Sequence, residues 1–236
     1  MQLFFNSEIN NSTEHFQFSK DESRHIVKVL RKTVGQSVQI TNGKGWLFEA
    51  VIEQANEKAC VVKMNSASLC EPRPFKLHLA VAPTKSNDRF EWFLEKATEI
   101  GIDSITPVIC DHSERKVFKI KRFEKIVQAA MKQSLQCYLP QIYTPITFKA
   151  FINKEHEGLL CIAHCGDTEK KSLKSQLQHP QDITILIGPE GDFSVKEIEM
   201  ALQQNFIPVT LGETRLRTET AAIVACQSVA FAYAKN

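Results

Sequence analysis

The pattern of apolar and polar residues differs between the first and the second part of the chain. In the first, three short runs favour β-strands: residues 37–41, 46–53 and 59–64. The Asn42-Gly43 pair between the first two is typical of a hairpin turn, because both residues accept positive φ. Ser19 and Glu22 have capping-box spacing, which predicts a helix ahead of the strands. Residues 1–71 are therefore predicted to form a small β-rich domain.

The second part begins after Pro72 and Pro74, where predicted strands and helices alternate. Buried strands are predicted at residues 75–82, 104–109, 158–163, 182–187 and 206–211. Helices are predicted at residues 89–100, 121–136, 195–205 and 221–234. Ser194 and Glu197 form a second capping box at the start of the third of these helices. This alternation predicts an α/β domain over residues 72–236, with a mainly parallel sheet covered on both faces.

Composition narrows the class of protein. The 236 residues are 43% apolar and 24% charged, which is typical of a globular protein and excludes disordered or collagenous chains. The longest apolar stretch, residues 221–234, is too short for a membrane helix. The N-terminus lacks the layout of a secretory signal, so we expect no membrane and a cytoplasmic location.

Cysteine usage indicates neither a disulfide framework nor a metal. There are seven cysteines, an odd and scattered set, which favours reduced thiols in a chain of this length. Cys161, His164 and Cys165 form the only close cluster, and their spacing fits no common zinc pattern. We therefore expect no metal site.

The loop after the strand 182–187 has the composition of a ligand-binding turn. Gly188 and Gly191 allow close approach to the backbone, whereas Glu190 and Asp192 would repel a phosphate group. A neutral or cationic nucleoside-like ligand therefore fits better than ATP or a dinucleotide. A tight strand-to-helix turn without a ligand is the alternative.

A second loop, residues 211–220, leaves another buried strand and opens the last helix. Arg215 and Arg217 lie just before this helix, although its N-terminus disfavours cations. An anionic or electron-rich group is expected to compensate them. Glu219 could do so as a structural ion pair, and a substrate contact is the alternative.

Basic residues cluster in two places. Arg24, Lys28 and Arg31 are spaced i, i+4 and i+7, which puts them on one face of the first predicted helix. Six Lys or Arg residues stand against one Glu between positions 115 and 125. Each cluster alone is also compatible with a solvated surface. Together they indicate a surface that follows the phosphate backbone of RNA or DNA.

The two loops resemble a known pair of motifs. Ile187-Gly-Pro-Glu-Gly191 with Phe193-Ser194, followed by Leu211-Gly212 and Leu216-Arg-Thr-Glu-Thr-Ala221, is similar to the signature of the RsmE family. These SPOUT-class methyltransferases methylate N3 of a uridine in 16S ribosomal RNA, using S-adenosyl-L-methionine. The resemblance implies a PUA-like RNA-binding β-barrel domain over 1–71 and a SPOUT domain with a C-terminal trefoil knot over 72–236. It also implies a homodimer whose partner is ribosomal RNA or the small ribosomal subunit.

The resemblance implies a set of site residues as well. Arg217 is the candidate that stabilises charge on the base, with Glu219 or Glu190 as the general base or as the group that orients the arginine. The implied cofactor-binding residues are His164, Cys165, Ile187, Gly188, Pro189, Gly191, Leu211, Gly212, Leu216 and Thr218. The implied RNA-binding residues are Arg24, Lys28, Arg31, Lys85, Arg89, Arg115 and Lys116.

The chain departs from the family pattern at several positions. Gln2-Leu3 stands where two arginines are common, and Asp192 replaces a usual second glycine. Residues 132–136 and 214–215 also differ from the typical segments. These departures keep open a catalytically silent RNA-binding factor for ribosome assembly with the same fold. A third alternative is an α/β enzyme that binds another adenosine-containing ligand.

Overall fold

The computed structural model describes residues 2–115 and 118–234. The chain divides into two compact units. The first extends to Pro72 and also contains the segment Met131–Leu139, and the second contains the remainder. The predicted second domain, residues 72–236, includes that segment, and the predicted domain boundary at residues 71–72 stays a prediction.

The first unit is built on a five-stranded sheet with the order β1-β3-β4-β5-β2. The strands are β1 (Leu3–Phe5), β2 (His15–Gln17), β3 (Ser37–Thr41), β4 (Trp46–Gln54) and β5 (Val61–Leu69). Alternate residues of β4, namely Phe48, Ala50 and Ile52, are buried and face the core of this unit. The strand period of two therefore decides which side chains form the core.

The first helix is shorter than the sequence predicts. α1 (Lys20–Arg24) begins at Ser19, whose side chain accepts a hydrogen bond from Glu22 N at 3.3 Å, as the capping spacing predicts. A π-helical turn, His25–Val29, follows, and Arg31 lies beyond it with a φ of 54°. The prediction that Arg24, Lys28 and Arg31 share one α-helical face is wrong, because the backbone changes its period between them.

The segment Met131–Leu139 is fastened to the first unit by backbone and covalent bonds. The Gly45 N–H donates to the carbonyl oxygen of Cys137 at 3.0 Å. A disulfide joins Cys137 to Cys70, with a Cα–Cα distance of 6.5 Å. The expectation of reduced thiols is therefore wrong for this pair. The remaining cysteines are free: Cys60, Cys110, Cys161, Cys165 and Cys226.

The second unit is built on an eight-stranded sheet in which neighbouring strands pair in parallel. Its strands are β6 (Leu77–Val81), β7 (Ser104–Ile109), β8 (Gln141–Ile142), β9 (Ile146–Thr147), β10 (Leu159–Ala163), β11 (Lys171–Ser172), β12 (Ile183–Ile187) and β13 (Ile207–Thr210). The order is β11-β13-β10-β12-β6-β7-β8, with β9 on β7. Every residue of β12 is buried, as expected for a parallel strand covered on both faces.

After the π-helical turn, six further helices occur in the part of the chain that the structure describes. They are α2 (Asn87–Ile100), α3 (Ile120–Gln133), α4 (Phe148–Ile152), α5 (Leu173–Gln176), α6 (Val195–Gln203) and α7 (Thr218–Ala232). α6 has the predicted capping box between Ser194 and Glu197. Within the described ranges, no helix combines the length and apolarity needed to cross a membrane. The predicted α/β architecture is confirmed, while the trefoil knot stays a prediction.

Candidate functional site

A cavity of about 730 Å³ lies at the carboxyl ends of β10, β12 and β13. These three strands are neighbours, in the order β13-β10-β12, although they are not consecutive in the sequence. Because parallel strands end at the same edge of the sheet, the loops that follow them converge there. The volume falls within the range of about 300–1,000 Å³ that is usual for small-ligand sites.

Most of the residues implied as cofactor contacts line this cavity. They are His164, Cys165, Ile187, Gly188, Pro189, Leu211, Gly212, Leu216 and Thr218. Gly191 does not line the cavity. It faces His112 instead, and a Cβ atom at Gly191 would lie 3.1 Å from the Cβ of His112. His112 Nδ1 lies 3.0 Å from the carbonyl oxygen of Gly191 and 2.9 Å from that of Asp192. His112 therefore donates from Nδ1 and holds the outer side of the loop.

Asp192 fastens two of the cavity loops to each other. Its backbone has a φ of 63°, a conformation that favours glycine but that Asp tolerates. Its carboxylate accepts hydrogen bonds from the backbone N–H groups of Cys165, at 2.8 Å, and Phe193, at 2.9 Å. The loop after β10 is thereby joined to the loop after β12. The residue that departs from the family glycine thus has a structural role in this chain.

The loop that opens α7 is joined to the same place. The buried Thr218 hydroxyl donates to the carbonyl oxygen of Gly188 at 3.0 Å. Arg217 is the N-cap residue of α7, and its exposed side chain lines the cavity. The three loops therefore form one wall with a guanidinium group at the start of a helix.

The acidic candidates separate into two environments. Glu190 lines the cavity, and its Oε1 accepts a hydrogen bond from the Lys85 N–H at 2.9 Å. Glu219 does not line the cavity and is only 7% exposed. Glu219 Oε1 lies 3.8 Å from Arg89 Nε, and its Oε2 has no hydrogen-bond partner among the residues that the structure describes. The structure brings Glu190, but not Glu219, together with Arg217 at the cavity.

His164 and Lys170 form the wall contributed by the loop after β10. His164 is buried, and its burial, reinforced by the nearby Lys170 cation, lowers its pKa, while Asp192 opposes that shift. Lys170 Nζ donates to the carbonyl oxygens of His164, at 3.2 Å, and Gly166. Lys170 is not among the residues that the sequence predicts for the site, because nothing but its position after a buried strand distinguishes it from the other surface lysines.

Three of the implied RNA-binding residues of the second unit follow the carboxyl ends of two strands in the sequence: Lys85 and Arg89 come after β6, and Arg115 comes after β7. Lys85 pairs with Glu114 at 2.8 Å, and this hydrogen-bonded ion pair raises the pKa of the Lys85 ammonium. Arg115 is half-buried, and Lys116 lies outside the described residues. In the first unit, Lys28 pairs with Glu57 at 2.8 Å, whereas the exposed Arg24 and Arg31 flank the π-helical turn. Across the described residues, no His, Cys, Asp and Glu side chains form a group that could hold a metal.

Two family models match the chain. One, described as an RNA methyltransferase domain, covers residues 71–230. The other, described as an RNA methyltransferase PUA domain, covers residues 18–64. The class that the fold and the cavity define is therefore that of the RNA methyltransferases, with an N-terminal PUA-like domain, as the family resemblance implies.

Individual relatives narrow this class to a family. A ribosomal RNA small subunit methyltransferase E from Buchnera aphidicola is 32% identical over 89% of this chain and 85% of its own. A crystal structure of a probable rRNA-methyltransferase from Porphyromonas gingivalis has a TM-score of 0.90 at 40% identity, covering 99% of this chain and 98% of its own. A methyltransferase E from Neisseria gonorrhoeae, bound to S-adenosyl methionine, has a TM-score of 0.83 at 25% identity, covering 96% and 95%. The chain belongs to the ribosomal RNA small subunit methyltransferase E family, and the predicted resemblance is confirmed.

Proposed function

We propose that this protein transfers a methyl group from S-adenosyl-L-methionine to N3 of a uridine in 16S ribosomal RNA. The observation that carries the proposal is the cavity in which Arg217 and Glu190 meet the glycine-containing turn after β12. Relatives of the same family act on small-subunit rRNA, and one is bound to S-adenosyl methionine. Such a reaction takes place where ribosomal subunits are assembled, in the cytoplasm.

The cavity fits this cofactor. Glu190, Asp192 and Glu213 place carboxylates in its wall, which suits a positively charged sulfonium, and Lys170, Arg215 and Arg217 place cations there, which suits the carboxylate of the same molecule. Aliphatic side chains such as Ile187 and Leu216 offer apolar surface to an adenine ring. When bound, S-adenosyl-L-methionine supplies a methyl group that is activated by its positive sulfur. The residues of the three loops would hold the nucleoside part through backbone groups.

Arg217 and Glu190 can provide the chemistry that the uridine requires. The N3 proton must leave, and negative charge then spreads onto the two carbonyl oxygens of the base. Glu190 accepts the proton, because it lies exposed at the cavity wall with Oε1 fixed by the Lys85 N–H. Arg217 donates to a base oxygen and stabilises the charge that develops there. Glu219 acts indirectly by orienting Arg89, since it is buried and faces that guanidinium.

RNA binding is proposed for both predicted domains. Residues 1–71 would hold the substrate through Arg24, Lys28 and Arg31, and residues 72–236 would do so through Lys85, Arg89, Arg115 and Lys116. Long cationic side chains bind phosphates without reading sequence, so they would position the rRNA or the small subunit and leave base choice to the cavity.

We also propose a homodimer. Phe231 of α7 is 81% exposed, and Trp92 of α2 is 45% exposed, on two helices that pack against each other. α7 is apolar over most of its surface, which is typical of a helix buried in an interface. A second copy of this chain is the proposed occupant of that face.

The experiment is methyl transfer to isolated small ribosomal subunits that lack the modification, with nucleoside mass spectrometry as the readout. Appearance of 3-methyluridine, dependent on S-adenosyl-L-methionine, would support the proposal. Methylation at another base atom would contradict the N3 assignment. Binding of the subunit without any methylation would favour the catalytically silent assembly factor.

A further inference from the structure

Lys170 occupies a position in the cavity wall that the proposed chemistry does not use. It ends the loop after β10 and directly precedes β11, which pairs with β13 at the edge of the sheet. Its half-buried side chain lines the cavity. Its ammonium group donates to two backbone carbonyls, those of His164 and Gly166.

These bonds leave the Lys170 cation incompletely satisfied. An ammonium group has three N–H donors, and the two carbonyl bonds use two of them. Within residues 2–115 and 118–234, Lys170 makes no ion pair with a carboxylate. A half-buried cation without an ion-pair partner gains from an anionic ligand, because a charge-assisted hydrogen bond is stronger than a neutral one.

Lys170 and Arg217 reach the cavity from different loops. Lys170 belongs to the loop after β10, whereas Arg215 and Arg217 belong to the loop after β13. Arg217 is proposed to act on the base, and Arg215 Nη2 donates to the carbonyl oxygen of Glu190 at 3.5 Å. Lys170 is therefore the cation that the loop after β10 contributes to the cavity wall, and the proposed chemistry leaves it without a role.

We propose that Lys170 binds the carboxylate of the amino-acid part of S-adenosyl-L-methionine. This inference rests on the proposed function. The adenosine part of that molecule is uncharged, so its carboxylate is the acceptor from which an ammonium group gains most. The two carbonyl bonds fix the ammonium before the ligand arrives, which reduces the entropy lost on binding.

The test compares the binding of two thioethers, both with an uncharged sulfur, by calorimetry. S-adenosylhomocysteine carries the amino-acid carboxylate, and 5′-methylthioadenosine has the same adenosine and sulfur without it. Lys170→Met should weaken binding of S-adenosylhomocysteine by about 10- to 100-fold, the usual effect of one charged hydrogen bond, and leave binding of methylthioadenosine unchanged. Lys171→Met, which changes the exposed neighbour on β11, should affect neither ligand. Lys170→Arg should restore most of the lost affinity.

Other results would overturn the inference. Equal weakening for both ligands would mean that Lys170 only holds the loop through the two carbonyls. Unchanged binding of S-adenosylhomocysteine would place its carboxylate elsewhere. A wild-type protein that binds neither thioether would contradict the proposed function itself, so the two failures are distinguishable.

Discussion

Glu190 and Asp192 are two residues apart and serve different purposes. The Asp192 carboxylate is used within the protein, where it accepts from the N–H groups of Cys165 and Phe193. Glu190 remains exposed at the cavity, although one of its oxygens is bonded to the Lys85 N–H. The sequence predicts that both carboxylates disfavour phosphate. It could not separate their roles, because their partners lie up to 105 positions away.

Arg217 is expected to contribute to the chemical step more than to cofactor binding. Arg217→Ala should lower the methyl-transfer rate by about 100- to 1,000-fold, the usual loss when one preorganised donor is removed from a developing charge. Affinity for S-adenosylhomocysteine, measured by calorimetry, should stay within about threefold because backbone groups are proposed to hold the nucleoside. Lys174→Ala, an exposed change on α5, is the control. Normal turnover by Arg217→Ala would remove Arg217 from the mechanism.

A buried histidine should make the protein sensitive to acid. Burial, with smaller contributions from the nearby His156 and Lys154, lowers the pKa of His78 from 6.5 to about 4. As pH falls below 6.5, His78 binds a proton in the unfolded chain but not in the folded protein. The free energy of unfolding therefore falls until the pH reaches about 4, where the folded protein binds the proton as well. Between pH 7 and pH 5 this loss is about 2 kcal/mol.

Urea denaturation at the two pH values measures that loss. His78→Gln should remove most of it, because an amide can still bond to the Thr106 hydroxyl, which lies 2.8 Å from His78 Nε2, but does not titrate. His179→Gln, at a position whose side chain is exposed, serves as the comparison. An unchanged pH dependence in His78→Gln would mean that other groups cause the acid sensitivity.

At the scale of elements, the sequence predicts features that depend on neighbouring residues better than features that depend on residues far apart in the chain. The capping residues Ser19 and Ser194 mark helix starts in the sequence, and both helices begin there. The π-helical turn His25–Val29 has no such signal, since its residues also suit an α-helix. The attachment of Cys137 depends on a backbone bond to Gly45 that no side-chain pattern records.

The capping box of α6 is expected to stabilise the edge of the sheet that carries the cavity. Glu197 is buried and accepts from the N–H groups of Ser194 and Asp111, each at 2.9 Å. Glu197→Ala would leave both donors without this acceptor and should cost about 2–3 kcal/mol in the free energy of unfolding. Ser194→Ala should cost about 1 kcal/mol, and Glu199→Ala, exposed on the same helix, close to nothing. Equal effects of Glu197→Ala and Glu199→Ala in chemical denaturation would contradict this account.

At the scale of the whole molecule, the sequence predicts the parts of the sheet better than their order. The five strands expected after residue 72 are present as β6, β7, β10, β12 and β13. Their spatial order places β10 between β13 and β12, which follows from how the helices cross over and not from any strand's own residues. The family resemblance alone therefore predicted that the loop after β10 contributes to the cavity. The loops after β12 and β13 were recognisable as candidate ligand-binding loops from their own residues.

The apolar face of α7 leads to a prediction about assembly. Ile223, Val224 and Ala230 are only partly buried, and Phe231 is almost fully exposed, which is costly for a helix left in water. Phe231→Asp should convert the proposed homodimer to monomers in light scattering coupled to size-exclusion chromatography, because a carboxylate would be desolvated at the interface. Val195→Asp, at another highly exposed apolar position on α6, should leave the dimer intact. A wild-type monomer at micromolar concentration would contradict the homodimer, and a dimeric Phe231→Asp variant would place the interface on another face.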